Sequence, residues 1–186
     1  LLMSATPIPR TLQQSLVGIK NISKIQTPPM LRKPIETIVS YFNWEAVRFS
    51  VEREISRNGQ IYFLHNDIDS MPFFHEKLSF MFPLLSIGTA HGKMKTKALE
   101  PTVLSFFSGD IDILLCTTII ESGLDIPSAN TIIINRADQF GLAQLYQLRG
   151  RVGRYKHQAY AYLFIPGALA ISSDARQRLT AIEELS

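Results

Sequence analysis

Short apolar runs alternate with amphipathic stretches along most of this chain, and this alternation constrains its fold more than any other feature. Candidate strands rich in Ile, Val and Leu lie at residues 35–42, 60–65, 85–90, 111–116, 131–134 and 159–165. Candidate helices lie between and after them, at residues 44–58, 69–82, 95–107, 139–148 and 172–185. Short buried strands separated by helices are typical of a doubly wound, mainly parallel sheet with helices on both faces. The predicted fold class is therefore α/β.

Four local features refine these predictions. The helix at 44–58 is predicted to end with Gly59 as its C′ residue. Ser172 or Ser173 is predicted to cap the last helix. Pro101 is expected to start a new turn or to kink its helix. An aromatic stripe, formed by Phe73, Phe74 and Phe80, is expected to be core rather than a base-stacking platform.

Composition excludes several classes of protein. The 186 residues have a formal net charge of +3 and a pI of about 9.1, a mild basic bias that is compatible with nucleic-acid binding. The one cysteine, Cys116, has no partner for an internal disulfide and is predicted to be a buried strand residue. No signal peptide or bilayer-spanning run is present, which favours a cytoplasmic protein. Because the first residue is Leu1, we expect a fragment of a larger protein.

The segment Gln147–Arg154 combines three arginines with two glycines just after a predicted helix. Arginine presents a planar fork of donors that suits phosphate oxygens, and glycine lets the backbone approach a ligand. An arginine held against a transferring phosphoryl group stabilises charge that develops in the transition state. The alternative is a solvated basic helix end, which the Arg-Gly-Arg-x-Gly-Arg order disfavours.

Two further segments follow predicted strands. His91 and Gly92 follow residues 85–90, where backbone N–H groups and Lys93 can meet a phosphate. The nearby Gly88 does not complete a phosphate-binding P-loop, because the spacing is one residue short and Met94 replaces the magnesium-binding hydroxyl. No other stretch of the sequence fits a Walker A segment, and none fits a Walker B segment. No metal-ligand cluster is predicted.

The second of these segments begins at Cys116. Thr117 and Thr118 can offer hydroxyls to a phosphate, and Asp125, two residues after the turn-forming Gly123, suits a ribose hydroxyl. The alternative makes Thr117 a helix N-cap and Asp125 a turn former.

These segments resemble motifs of the superfamily 2 helicases. Residues 147–154 resemble motif VI, 116–127 motif V, 91–94 motif IVa, and Ser4, Ala5 and Thr6 motif III. Residues 130–144 closely match the transcription-repair coupling factor branch of that superfamily, and RecG-type branch-migration helicases are the next nearest.

The resemblance implies roles for individual residues. Arg151 and Arg154 are expected to be arginine fingers that reach ATP. The residues that face the nucleotide are Gln147, Gly123 and Asp125, and those that contact DNA are His91, Gly92, Thr117 and Thr118. Coupling between the two sites is expected from Ser4, Ala5, Thr6 and Arg178. We also expect Arg151 and Arg154 to face the sheet edge from which Thr118 and Asp125 emerge. Glu121 receives no role.

The resemblance also implies a RecA-like fold and a domain order. Residues 1–30 are expected to be the tail of a first motor domain, 31–170 a second RecA-like helicase domain, and 171–186 the start of a translocation-motif helix. The implied activity is ATP-dependent translocation on double-stranded DNA, which displaces stalled RNA polymerase at lesions and couples transcription to nucleotide excision repair. ATP with Mg²⁺ would be bound mainly by the absent first domain, so the fragment alone should be inactive.

The implied partners are double-stranded DNA, RNA polymerase and excision-repair proteins, with no membrane. Three other functions remain open from the sequence: a RecG-type branch-migration helicase, a non-catalytic interaction module on a motor fold, and an RNA helicase. The Phe140–Gln144 context disfavours the last of these.

Overall fold

The computed structural model describes residues 33–118, 128–153, 157–167 and 171–184. The strands are β1 Ile35–Tyr41, β2 Gln60–Leu64, β3 Ile87–Ala90, β4 Ile113–Cys116, β5 Ala129–Asn135 and β6 Ala159–Ile165. The α-helices are α1 Trp44–Ile55, α2 Met71–Met81, α3 Thr96–Ser108, α4 Leu142–Arg149 and α5 Ser173–Glu184, and a 3₁₀ turn covers Ala137–Gln139.

The six described strands form one sheet in the order β1-β6-β5-β2-β4-β3, and every pairing is parallel. In the centre, Leu64 of β2 pairs with both Cys116 of β4 and Ile134 of β5. The carboxyl ends of the strands therefore meet at one edge of the sheet. The predicted α/β class with a doubly wound parallel sheet is confirmed.

Helices cover both faces of this sheet. On one face, α1 and α2 bury Val47, Val51 and Leu78 against Phe63 and its neighbours. On the other face, α3, α4 and α5 pack their apolar residues around Tyr62. These residues are Phe106, Leu145, Leu148, Leu179 and Ile182. Because β2 is buried on both faces, its side chains are apolar at successive positions rather than at alternate ones.

One of the local predictions is corrected, and a second is narrowed to one of its two alternatives. Helix α1 ends at Ile55, and Asn58 rather than Gly59 adopts the left-handed conformation, with φ 57°. Gly59 instead leaves room for the carboxylate of Glu54, which occupies the space that a Cβ would need. Helix α3 continues through Pro101, so no new helix begins there, and the predicted alternative of a kink stays a prediction.

The aromatic stripe is core at one position only. Phe74 is buried with Leu78 against the sheet, whereas Phe73 and Phe80 are 58% and 79% exposed. Residues 73 and 80 lie seven apart and so share a helix face, which points away from the sheet. The prediction that all three are core is wrong for Phe73 and Phe80.

Two other predictions are confirmed. Ser172 caps α5, because its Oγ accepts a hydrogen bond from the Ala175 amide at 3.2 Å. Cys116 is completely buried in β4. Residues 1–30, the expected tail of a first motor domain, lie outside the described residues. Within the described part of the chain, no helix has both the length and the apolar character needed to cross a bilayer.

Candidate functional site

The carboxyl ends of β3 and β4 bring two of the predicted DNA-contacting pairs together. Ala90 pairs with Cys116 in the sheet, and the amide of Thr117 donates to the Ala90 carbonyl at 3.2 Å. His91 and Gly92 therefore emerge beside Thr117 and Thr118. This arrangement follows from the parallel pairing of two strands that lie more than twenty residues apart in sequence.

The turn after β3 presents groups suited to a phosphate. The amide of Met94 donates to the His91 carbonyl at 3.0 Å, which closes the turn. Gly92 is exposed with open space around its Cα, so a ligand can approach its backbone. The Nδ1 atom of His91 is buried and has no hydrogen-bond partner among the described residues.

Three exposed lysines lie in and directly after this turn at alternate positions, Lys93, Lys95 and Lys97. Lys95 also occupies the N-cap position of α3, whose first turn contains no acidic side chain. The unsatisfied amides and positive dipole end of a helix favour anions, and nearby cations reinforce that preference. Sequence reasoning singled out neither Lys95 nor Lys97, although their regular spacing directly after His91 and Gly92 was a usable signal.

A chain of polar side chains lies at the neighbouring carboxyl ends of β2 and β5. The amide of Asn135 contacts His65 Nδ1 at 3.0 Å, His65 Nε2 lies 2.7 Å from Ser70 Oγ, and that hydroxyl donates to Asp67 Oδ2 at 2.6 Å. Burial lowers the pKa of His65, which favours the uncharged ring. Because the Asn135 amide nitrogen can only donate, Nδ1 of the uncharged ring accepts and Nε2 donates to Ser70. The hydrogen bond from Ser70 lowers the pKa of Asp67. Sequence reasoning missed this chain.

Arg151 lies in a short turn that follows α4. Its amide donates to the Leu148 carbonyl at 3.0 Å, and the next amide, that of Val152, donates to the Arg149 carbonyl at 3.3 Å. Gly153 has φ +78°, and a Cβ added there would meet Ile35 and Ala159. These are the first residues of β1 and β6, so the turn lies near the amino ends of those strands.

Thr118 and Arg151 therefore lie in different regions of the domain. In the sheet, β6 lies three strand spacings from β4. The register places Cys116 level with Leu163, and Ala159 lies four residues before Leu163 along β6. At 4.8 Å per strand and 3.3 Å per residue, the ends are separated by about 20 Å. The turn with Arg151 thus begins far from the edge where Thr118 emerges, while the direction in which the Arg151 side chain faces stays a prediction. Gly123, Asp125 and Arg154 lie outside the described residues, while Gln147 is half-buried on α4.

The first arginine of the cluster, Arg149, is an internal residue rather than a phosphate-binding one. It is only 9% exposed, its Nη1 donates to the Ile182 carbonyl at 3.1 Å and to Thr37 Oγ1 at 3.4 Å, and its guanidinium lies 4.4 Å from the centre of the Tyr146 ring. These contacts join α4, α5 and β1. Among the cluster arginines that the structure describes, Arg151 is therefore the candidate for binding a phosphate, and it is half-buried.

The predicted coupling residue Arg178 lies on α5. Its Nη2 donates to the Asp138 carbonyl at 3.2 Å, and the Asp138 carboxylate is bound in turn by both ends of the Arg136 fork, at 3.1 and 3.0 Å. Arg178 therefore ties α5 to the turn that follows β5. Its role in coupling stays a prediction, and Ser4, Ala5 and Thr6 lie outside the described residues. No group of three or more His, Cys, Asp and Glu side chains in the described ranges is placed to hold a metal ion.

Comparison with curated proteins gives close relatives over the whole chain. It is 50% identical over 186 residues to the transcription-repair-coupling factor of Myxococcus xanthus, and 49% identical over 185 residues to that of Haemophilus influenzae. The Staphylococcus aureus protein of the same name is 47% identical over 186 residues. These alignments cover 100% of this chain and 16% of each relative, so the chain spans about one sixth of their length.

Comparison with solved structures gives the same architecture. The structure of RecG bound to a three-way DNA junction superposes with a TM-score of 0.80 and 34% identity, over 98% of this chain and 26% of that one. Saccharomyces cerevisiae Dbp5 bound to RNA and ADP BeF3 has a TM-score of 0.67 and 19% identity, over 97% of this chain and 47% of that one, and shows the fold alone.

The family comparison covers most of the described sheet. The model of the helicase conserved C-terminal domain matches residues 44–156, a span that contains β2 to β5, the turn after β3 and the turn with Arg151. The chain therefore belongs to the helicase conserved C-terminal domain family.

Proposed function

We propose that this chain is the second motor domain of an ATP-dependent translocase on double-stranded DNA. The proposed parent protein displaces stalled RNA polymerase at lesions and couples transcription to nucleotide excision repair in the cytoplasm. The support is an identity of 47–50%, over the whole chain, to proteins named transcription-repair-coupling factor. The observation that carries the mechanism is the placement of two candidate sites on one sheet. One follows the carboxyl ends of β3 and β4, and the turn with Arg151 packs on the amino ends of β1 and β6.

The first site is proposed to hold the DNA backbone. Thr117, Thr118, His91 and Gly92 emerge together at the carboxyl ends of β3 and β4, and exposed lysines follow. Backbone amides, hydroxyls and lysines recognise phosphates and do not read bases. Binding at this site should therefore be independent of sequence and should weaken steeply with salt.

The second site is proposed to complete a nucleotide pocket whose other half belongs to a neighbouring motor domain. Arg151, together with Arg154, would lie against the phosphates of ATP, with Gln147 beside them and Gly123 and Asp125 facing the nucleotide. ATP with Mg²⁺ would supply the phosphoryl group and a compensating charge. A permanently charged, planar guanidinium suits the charge that develops on equatorial phosphate oxygens during transfer.

Both sites lie on one sheet, so a displacement of the domain against the nucleotide also moves its DNA contacts. Parallel strands packed on both faces by helices behave as a rigid unit, and closure around a ligand is a common motion between such units. Ser4, Ala5, Thr6 and Arg178 are the proposed coupling residues. RNA polymerase and excision-repair proteins are the proposed partners of the full-length protein.

The nucleotide half of the proposal is tested by Arg151→Ala in the full-length protein. We expect loss of ATP hydrolysis by about 10³-fold or more while ATP affinity is largely retained, because the finger acts on the transition state. Arg48→Ala, an exposed arginine on α1, is the control and should hydrolyse ATP normally. Normal turnover of the Arg151 variant would remove the finger assignment.

The isolated 186-residue chain should not hydrolyse ATP, because it would have only half of the pocket. Measurable turnover by purified chain, free of contaminating ATPase, would contradict this assignment.

The DNA half is tested by Lys95→Gln, again in the full-length protein. We expect affinity for duplex DNA to fall to a similar extent for unrelated sequences. The slope of log K against log salt should decrease by about one unit. Glu45→Gln, an exposed change on α1 that removes one charge elsewhere, is the control. An unchanged salt slope would show that α3 does not face the DNA.

A second candidate is a RecG-type branch-migration helicase, favoured by the TM-score of 0.80 and the 34% identity to RecG. The two functions share the sites described above and differ in what the moving DNA displaces. Parallel assays with the full-length protein would separate them, one on a stalled transcription complex and one on a synthetic replication fork. Fork reversal without polymerase displacement would select the RecG-type function.

A further inference from the structure

Of the two cluster arginines that the structure describes, Arg149 is the buried one, and none of the roles proposed above uses it. Its guanidinium reaches three elements, namely Tyr146 of α4, Thr37 of β1 and Ile182 of α5. Taking a guanidinium out of water is costly unless acceptors replace the lost hydration. A buried arginine with this set of contacts is therefore positioned by the fold.

The acceptor on α5 is a backbone carbonyl that lies 33 residues away in the sequence. The hydrogen bond of 3.1 Å from Arg149 Nη1 to the Ile182 carbonyl gives the buried guanidinium one of the acceptors that replace its lost hydration. The Thr37 hydroxyl on β1, at 3.4 Å, is a second acceptor.

The turn that begins at Arg149 is held at both of its ends. At the start, the Arg149 side chain binds α5 and β1. At the end, Val152 is completely buried in the core, and Gly153 packs directly on Ile35 and Ala159. Arg151 lies between these two anchors and is half-buried. The position of Arg151 relative to the sheet thus depends on the seating of α5.

We propose that Arg149 is a positioning residue, which fixes the turn that bears Arg151 by binding α5 and β1 at the same time. This role rests on the proposed function, in which Arg151 contacts the nucleotide. Lysine cannot replace Arg149, because one ammonium cannot stack on Tyr146 and bind both acceptors in the same geometry. A shift of about 1 Å at a catalytic group is enough to reduce turnover by about 100-fold.

The test compares Arg149→Lys and Arg149→Met in the full-length protein with the control Arg48→Lys on the exposed face of α1. We expect kcat for DNA-stimulated ATP hydrolysis to fall by about 10- to 100-fold in both Arg149 variants, with KM for ATP within about threefold of wild type. The control should keep both constants. Wild-type kcat in a folded Arg149→Lys protein would overturn the proposal, and so would an equal loss of kcat in the control.

Hydrogen exchange gives a second readout that needs no enzymatic activity. In Arg149→Lys, amides of the turn 150–153 and of residues 179–184 should exchange at least about tenfold faster, while those of α1 stay unchanged. Unchanged exchange at both segments would overturn the proposal even if kcat falls. If the wild-type protein hydrolyses no ATP, the proposed function fails. Exchange alone then decides whether Arg149 holds the turn.

Discussion

Gly153→Ala is a sharp test of the packing around the turn that bears Arg151. Gly153 has φ +78°, and an added Cβ would lie 2.9 Å from Ile35 Cγ1 and 3.1 Å from Ala159 Cβ. Gly109 provides a matched control, because it has φ +89° and nothing within 4 Å of an added Cβ. Both alanine variants are destabilised by a left-handed backbone conformation. Only Gly153→Ala also overpacks its surroundings.

The expected losses follow from these two terms. A left-handed alanine costs about 1–2 kcal/mol, so Gly109→Ala should lower the free energy of unfolding by that amount. Overpacking adds about 1–3 kcal/mol, so the loss for Gly153→Ala should be about 2–5 kcal/mol. For a domain of this size the difference between the variants corresponds to a Tm lower by about 2–12 °C in Gly153→Ala.

Urea unfolding of the 186-residue chain measures both variants, with Trp44 as the probe. Trp44 is the one tryptophan of the chain, and its ring packs against Phe42 and Phe74, so its fluorescence should report loss of the α1–α2 face. The slope m should be unchanged if only the native state is affected. Equal losses in the two variants, or a larger loss at Gly109, would refute the described packing of Gly153 against β1 and β6.

Three further predictions concern buried polar groups. Burial holds the pKa of His65 in the folded state below its ordinary value of 6.5. Between the folded-state pKa and 6.5, the unfolded state therefore binds more protons than the folded state. Stability should therefore fall as the pH is lowered below about 6.5, and His65→Gln should flatten that dependence in urea titrations. Burial raises the pKa of the Cys116 thiol, which should react with a thiol reagent only after unfolding, as a native-state labelling experiment would show. Thr131→Val removes a 2.5 Å hydrogen bond to the buried Glu54 and should cost about 1–3 kcal/mol in urea unfolding, whereas the exposed Thr180→Val should cost little.

The strands and most helices could be predicted because their signal is local. Residues 61–64 are buried at every position, which requires a continuous apolar run, and that run is readable in the sequence. Phe73 and Phe80 were misjudged for the opposite reason. Three aromatic residues in one helix look equally apolar, yet only Phe74 shares a face with Met71 and Leu78, which contact the sheet. The direction of a helix face is set by packing, which composition does not contain.

The candidate sites divide in the same way. The residues that contact phosphates could be selected from their motifs, because glycine, threonine and arginine have chemical properties that do not depend on distant parts of the chain. Which of these residues lie together in space could not be predicted in this way. Thr117 lies beside His91 because β3 and β4 pair, whereas the turn with Arg151 lies elsewhere because it packs on the amino ends of β1 and β6.

The sequence by itself determined the alternation of strands and helices, the parallel class of the sheet and the chemical types present at each candidate site. Only the tertiary structure decided which arginine of the cluster is internal. Arg149 and Arg151 are chemically identical and two residues apart, but Arg149 meets a carbonyl 33 positions away on α5, with β1 beside it. Burial of a charge depends on acceptors that other elements bring to it, and their arrival is a property of the folded chain.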